Sequence, residues 1–84
     1  MINTNLLINI IGWTGSILYL LAYSLVSAKK TDGDSVLYQG INIFAGLLLV
    51  IYTLYLGAYA TTGLNAVWVI IGLLTLGRKW LTRN

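Results

Sequence analysis

Apolar residues run almost without interruption through this chain, and one short charged segment divides them. Residues 29–35, with the sequence KKTDGDS, are called the charged loop here; residues 1–28 and 36–77 contain no Asp, Glu, Lys, Arg or His. A charged side chain at the centre of a membrane-spanning helix costs about 2.5–3.5 kcal/mol. The charged loop therefore has to lie in water, whereas the apolar runs on either side are long enough to cross lipid.

The apolar runs predict three membrane-spanning helices at residues 6–27, 36–56 and 64–81. About 20 helical residues cover the roughly 30 Å of a bilayer's hydrocarbon core, because each residue adds about 1.5 Å. A short uncharged link at residues 57–63 predicts that the second and third spans are antiparallel neighbours. The expected fold is all-α and transmembrane, a three-helix bundle forming a single domain over residues 1–84.

The few charges predict an orientation rather than a nucleic-acid partner. Of the 84 residues, 58% are hydrophobic and 8% are charged, against about 25% charged in an average soluble domain. The five basic residues lie in the charged loop and after the third run, at Lys29, Lys30, Arg78, Lys79 and Arg83. Because basic residues collect on the cytoplasmic side, we expect the N-terminus outside and the charged loop and C-terminus in the cytoplasm.

The reactive side chains are too few for an enzyme. The chain has no cysteine and no histidine, and both of its carboxylates, Asp32 and Asp34, lie in the charged loop. Acid–base catalysis inside the membrane therefore has no obvious agent. We expect no enzymatic activity, no metal and no cofactor.

Polar and small residues recur at helical spacing on one face of each predicted span, where they avoid lipid. Packing of helices against each other explains the glycines best, because small residues let backbones approach. For Tyr19, Tyr23, Asn42 and Asn65, contact with a solute remains an alternative to hydrogen bonding between helices. The faces comprise Gly12, Gly15, Ser16, Tyr19, Ala22 and Tyr23; Gln39, Asn42, Gly46 and Thr53; and Asn65, Trp68, Gly72 and Thr75.

Several motifs together give the chain a resemblance to a known family. They are GWTGS at residues 12–16, LLAYSLVS at residues 20–27, the Lys-rich loop ending at Ser35, Gly46, and Asn65 early in the third span. This pattern resembles the SemiSWEET half-transporters, bacterial members of the SWEET (MtN3-saliva) superfamily, and most closely a small SWEET-like family. The resemblance implies a bacterial inner-membrane protein in which two parallel three-helix bundles enclose a pocket for a mono- or disaccharide. It places Asn65 at the sugar-contacting position.

Two functions follow as predictions. The first is facilitated transport of a small neutral polar solute by a homodimer, with Asn65 and Asn42 bonding hydroxyl groups and Tyr19, Tyr23 and Trp68 shaping the walls. The second is a non-transporting accessory subunit that packs against a larger membrane complex. It is favoured because Ala22-Tyr23 replaces the Pro-Gln pair of the SemiSWEET proteins, and Val50 falls near their pocket tryptophan.

Overall fold

Three long helices make up the computed structural model, which describes residues 3–81. Helix α1 spans Thr4–Ser27, α2 spans Val36–Leu56 and α3 spans Tyr59–Leu81. Each helix is long and apolar enough to cross a membrane, and the bundle measures 48 × 24 × 22 Å. This is the all-helical, multi-pass architecture that the apolar runs predict. Arg83, used above to predict orientation, lies outside the described residues.

Helix α2 is the central helix, with α1 packed on one side and α3 on the other. Across residues 3–81, no Cα atom of α1 comes within 8 Å of a Cα atom of α3. Consecutive helices are antiparallel, because Gly12 and Gly15 of α1 lie beside Tyr52 and Leu49 of α2 respectively. The two outer helices are therefore held apart by α2, and their separation leaves a groove along one face of the bundle.

Side-chain oxygens cap the N-termini of the first two helices. The Asn3 side chain accepts a hydrogen bond from the backbone N–H of Leu6 at 2.7 Å, and the Ser35 hydroxyl accepts one from the N–H of Tyr38 at 3.1 Å. Each bond satisfies a backbone donor that has no partner within its own helix. The start of α2 is further tied to the charged loop, because the Gln39 amide donates to the Gly33 carbonyl at 2.8 Å.

The turn between α2 and α3 is shorter than the sequence suggests. Gly57 adopts a left-handed conformation with φ of 78°, and the N–H of Ala58 donates to the Thr53 carbonyl at 2.9 Å. Helix α3 then begins at Tyr59, five residues before the expected Leu64. The sequence predicts that Gly63 ends the link, but Gly63 lies within α3. Of Gly57 and Gly63, only Gly57 takes the left-handed backbone conformation that ends a helix.

Small and polar side chains form most of the interior. Four of the buried residues are glycines and two are alanines, whereas large apolar side chains mainly face outward, where they fit contact with lipid. Close backbone approach thus replaces the large apolar core of a soluble protein. The buried residues are Ile8, Gly12, Gly15, Ala22, Asn42, Ala45, Gly46, Thr53, Asn65, Val69 and Gly72.

The charged loop and the end of α3 lie at the same end of the bundle. The Lys79 ammonium donates to the backbone carbonyl of Asp34 at 3.2 Å and lies 3.9 Å from its carboxylate. Both side chains are well exposed, and exposed ion pairs of this kind contribute about 0–1 kcal/mol. The contact therefore shows that the charged loop and the end of α3 are neighbours, but it contributes little to stability.

Candidate functional site

The groove between α1 and α3 contains a cavity of about 430 Å³ that opens to the outside of the bundle. All five residues that the sequence predicts as solute contacts lie around it, and all three helices contribute. Their role in binding stays a prediction, but the structure does bring them together. The lining residues are Tyr19, Tyr23, Tyr38, Asn42, Leu64, Asn65 and Trp68.

Tyr19 and Asn65 join the two outer helices across the central one. The Tyr19 hydroxyl donates to the Asn65 side-chain oxygen at 3.0 Å. This bond passes over Gly46, where an added Cβ would lie 3.1 Å from the Tyr19 hydroxyl and 2.5 Å from a methyl group of Val69. Gly46 thus provides the space that lets α1 and α3 meet through side chains although their backbones do not.

The Asn65 amide is already engaged on both of its ends. Its oxygen accepts from Tyr19, and its nitrogen donates to the Thr61 carbonyl one turn earlier in α3 at 3.0 Å. A primary amide offers two donor hydrogens and two acceptor lone pairs, so one donor and one acceptor site remain for a ligand. The two protein bonds also fix which end of the amide points to which helix.

The Asn42 amide is in a different situation. Asn42 is only 7% exposed, and it forms no side-chain hydrogen bond with any residue between 3 and 81. Within those residues no polar side-chain atom is both sealed from solvent and unbonded, so the Asn42 amide must reach the groove. It also lines a smaller adjoining cavity of about 70 Å³, formed with Tyr38, Gln39, Trp68 and Ile71.

The two amides lie at different depths along the bundle. Asn42 is six residues from the start of α2, at the charged-loop end, and Asn65 is six residues from the start of α3, at the opposite end. Gly46 follows Asn42 by about one helical turn, and a Cβ on Gly46 would lie 3.7 Å from the Asn65 backbone oxygen. Asn42 and Asn65 are therefore offset by roughly 6–9 Å along the axis, little more than one helical turn, and both line the same cavity.

Aromatic rings form the open rim of the cavity. Tyr23 is 67% exposed and Trp68 is 47% exposed, whereas Tyr19 is half-buried. A tryptophan or tyrosine at a rim offers a flat apolar face together with one polar atom. No lining residue carries a charge, so recognition at this site depends on hydrogen bonds and ring faces.

The sequence analysis did not identify two lining residues, Tyr38 and Leu64. Tyr38 precedes Asn42 by four positions and therefore shares its helix face, a spacing that would have identified it. Leu64 has no comparable signal, because a leucine in a membrane helix is as expected against lipid as against a cavity. It lines the site because it is adjacent to Asn65.

Comparison with known proteins places the chain in a family without assigning it an activity. No curated protein and no solved structure matches the chain. The resemblance to the SemiSWEET transporters stays a prediction. A model of an uncharacterised protein family matches residues 8–83. Because this match covers nearly the whole chain, the protein belongs to that family.

Proposed function

We propose that this protein is a facilitative carrier for a small neutral polar solute, of the SemiSWEET type. The observation that supports this proposal most is the cavity between α1 and α3, which gathers Tyr19, Tyr23, Asn42, Asn65 and Trp68 from three separate helices. Polar groups in a membrane helix are costly unless they face protein or a water-filled space. Here they converge on one such space.

The size and chemistry of the cavity suit a sugar-like solute. Ligand sites usually occupy about 300–1,000 Å³, and this cavity has about 430 Å³. Amide groups bond hydroxyl donors and acceptors equally well, and the rings of Trp68 and the tyrosines supply flat apolar faces. The absence of any Asp, Glu, Lys, Arg or His from residues 36–77 disfavours coupling to protons through a side chain in those spans.

A second copy of the chain would complete the site. The groove is open on the side facing away from α2, so one bundle cannot surround a solute. Two bundles that face each other in parallel would enclose it, as the SemiSWEET resemblance implies. We place this homodimer in the bacterial inner membrane, with the start of α1 outside and the charged loop in the cytoplasm, following the distribution of Lys29, Lys30, Arg78 and Lys79.

Transport by the purified protein tests the proposal directly. Proteoliposomes that contain the wild-type chain should take up at least one of the labelled solutes glycerol, xylitol, glucose and sucrose faster than empty liposomes. The Asn65→Ala variant should lose this uptake while its oligomeric state is retained. Thr75→Val is the matched control, because Thr75 bonds only the Ile71 carbonyl of its own helix and does not line the cavity. Wild-type uptake no faster than in empty liposomes would contradict the proposal.

The alternative function is an accessory subunit of a larger membrane complex. The exposed rim residues Tyr23 and Trp68 favour it, because the groove that they border could equally receive a helix of another protein. Purification in a mild detergent separates the two functions. A homodimer without other proteins supports the carrier, whereas a stoichiometric larger partner supports the subunit.

A further inference from the structure

Within residues 3–81, Asn42 is the buried polar residue of the cavity whose side chain forms no hydrogen bond; Tyr23 and Trp68 also lack one, but both are well exposed. Asn65 and Tyr19 bond each other, but Asn42, a residue only 7% exposed, forms no side-chain hydrogen bond with residues 3–81. Because no unbonded polar side-chain atom among these residues is sealed from solvent, the Asn42 amide reaches the groove, where it can bond water or a ligand. A group of this kind that faces a cavity is suited to a ligand that enters and leaves.

Resting on the proposed carrier function, we propose that Asn42 is the principal hydrogen-bonding contact for the solute. The Tyr19–Asn65 pair then serves mainly to join α1 to α3 and to orient the Asn65 amide. This reverses the order of importance that the sequence suggests, in which Asn65 comes first. It makes Asn42 a specificity-determining residue and Tyr19 a positioning residue.

The hydrogen bonds of the two amides support separate roles. The Asn65 amide keeps one donor and one acceptor site after its bonds to Tyr19 and Thr61. At Asn42, nearer the charged loop, a solute meets an amide whose two donors and two acceptor sites are all available.

The available amide also defines the kind of solute. A carboxamide presents a carbonyl acceptor beside an N–H donor, which matches a molecule with a donor and an acceptor on neighbouring atoms. Vicinal hydroxyl groups have this arrangement. The surrounding Tyr19, Tyr38 and Trp68 are uncharged, so a neutral polyol is the expected ligand class, and an anion or a cation is not.

Variants of the two asparagines test the proposal through uptake and stability together. Asn42→Leu keeps the branched shape and the number of heavy side-chain atoms and removes both hydrogen-bonding ends. We expect uptake of the transported polyol to fall about tenfold or more, as the loss of one or two ligand hydrogen bonds implies. The melting temperature should stay unchanged or rise, because the Asn42 side chain forms no hydrogen bond with residues 3–81 that the variant could remove. Asn65→Leu should lower the melting temperature, because it removes the partner of Tyr19.

Single cysteines give a second readout that does not depend on transport. The chain has no cysteine, so Asn42→Cys provides a unique thiol. A small water-soluble methanethiosulfonate reagent should label it at least tenfold faster than the thiols of Ala45→Cys and Leu47→Cys, since Ala45 is fully buried and Leu47 faces outward. Adding the transported polyol should slow the labelling of Asn42→Cys.

The outcomes separate the inference from the function on which it rests. Wild-type uptake with an equally active Asn42→Leu variant overturns the role of Asn42 and leaves the carrier standing. A melting temperature that falls with Asn42→Leu assigns the residue to packing and overturns it too, as does an unlabelled Asn42→Cys thiol. If the wild-type protein transports none of the four solutes, the carrier proposal fails and takes this inference with it.

Discussion

Gly46 shows how much of this fold depends on the absence of a side chain at one position. It lies in the middle of α2, where Val69 of α3 and the Tyr19 hydroxyl of α1 both approach its backbone. A β-branched residue such as Val69 has little rotamer freedom in a helix and cannot easily move away. The packing of α3 on α2 and the Tyr19–Asn65 bond therefore share one requirement, which is that residue 46 has no Cβ.

The Gly46→Ala variant should be destabilised by about 1–3 kcal/mol, the usual cost of an overpacked interior. Gly40→Ala is the matched control on the same helix, because a Cβ at residue 40 meets nothing within 4 Å; it should be stabilised by about 0.5–1 kcal/mol. Unfolding by SDS in mixed micelles measures both. Adding Val69→Ala to Gly46→Ala should recover part of the loss, and equal stability of the two single variants would show that the contact is unimportant.

At the level of elements, the ends of the helices depend on two residues with positive φ. Gly57 ends α2 with φ of 78°, and Lys29 follows α1 with φ of 59°. At both helix ends, the backbone N–H of the following residue donates a hydrogen bond to the carbonyl five residues earlier. The pairs are Ala58 to Thr53 and Lys30 to Leu25. Glycine adopts this conformation without steric cost, whereas lysine does not. The same C-terminal motif is thus formed once by a permissive residue and once by a strained one.

The two glycines near the α2–α3 turn should respond oppositely to alanine. Gly57→Ala forces a Cβ into the left-handed region and should cost about 1–2 kcal/mol. Gly63→Ala should gain about 0.5–1 kcal/mol, because Gly63 is helical and nothing lies within 4 Å of its added Cβ. The same SDS titration followed by circular dichroism measures both changes. A destabilised Gly63→Ala variant would indicate that residue 63 belongs to a turn, as the sequence suggests.

For the whole molecule, the sequence predicts the number of helices well and their arrangement poorly. The confinement of charge to residues 29–35 and the end of α3 leaves few alternatives to three apolar helices. It does not reveal that α2 is central, because all three helices carry a small or polar face and any of them could have occupied the middle.

The candidate site, too, was only partly predictable from the sequence. Helical spacing identified five of the lining residues, since polar groups on a membrane helix have few places to go. The difference between Asn42 and Asn65 was not predictable, because it depends on Tyr19 crossing α2 at Gly46 to reach one amide and not the other. Such a contact is set by three-dimensional packing and has no counterpart in residue spacing.

The orientation of the bundle is testable with unique thiols at its two ends. Gly33→Cys lies in the charged loop and Ala58→Cys in the turn between α2 and α3, and the described helices place these residues at opposite ends. In intact cells, a membrane-impermeant maleimide should label Ala58→Cys at once and Gly33→Cys only after permeabilisation, as the positive charges near Gly33 imply. Labelling in the reverse order would invert the proposed topology, and labelling of both would contradict a membrane-spanning arrangement.

The central position of α2 bears on how the protein is made. During synthesis α1 and α2 leave the ribosome first, and each already has its contact partner in the other. Because the backbones of the outer helices do not approach each other within residues 3–81, the first hairpin can assemble without waiting for the third helix. The two-residue turn then brings α3 directly onto the finished hairpin. Both α2 and α3 thus pair with the helix before them, and insertion into the bilayer can proceed one element at a time.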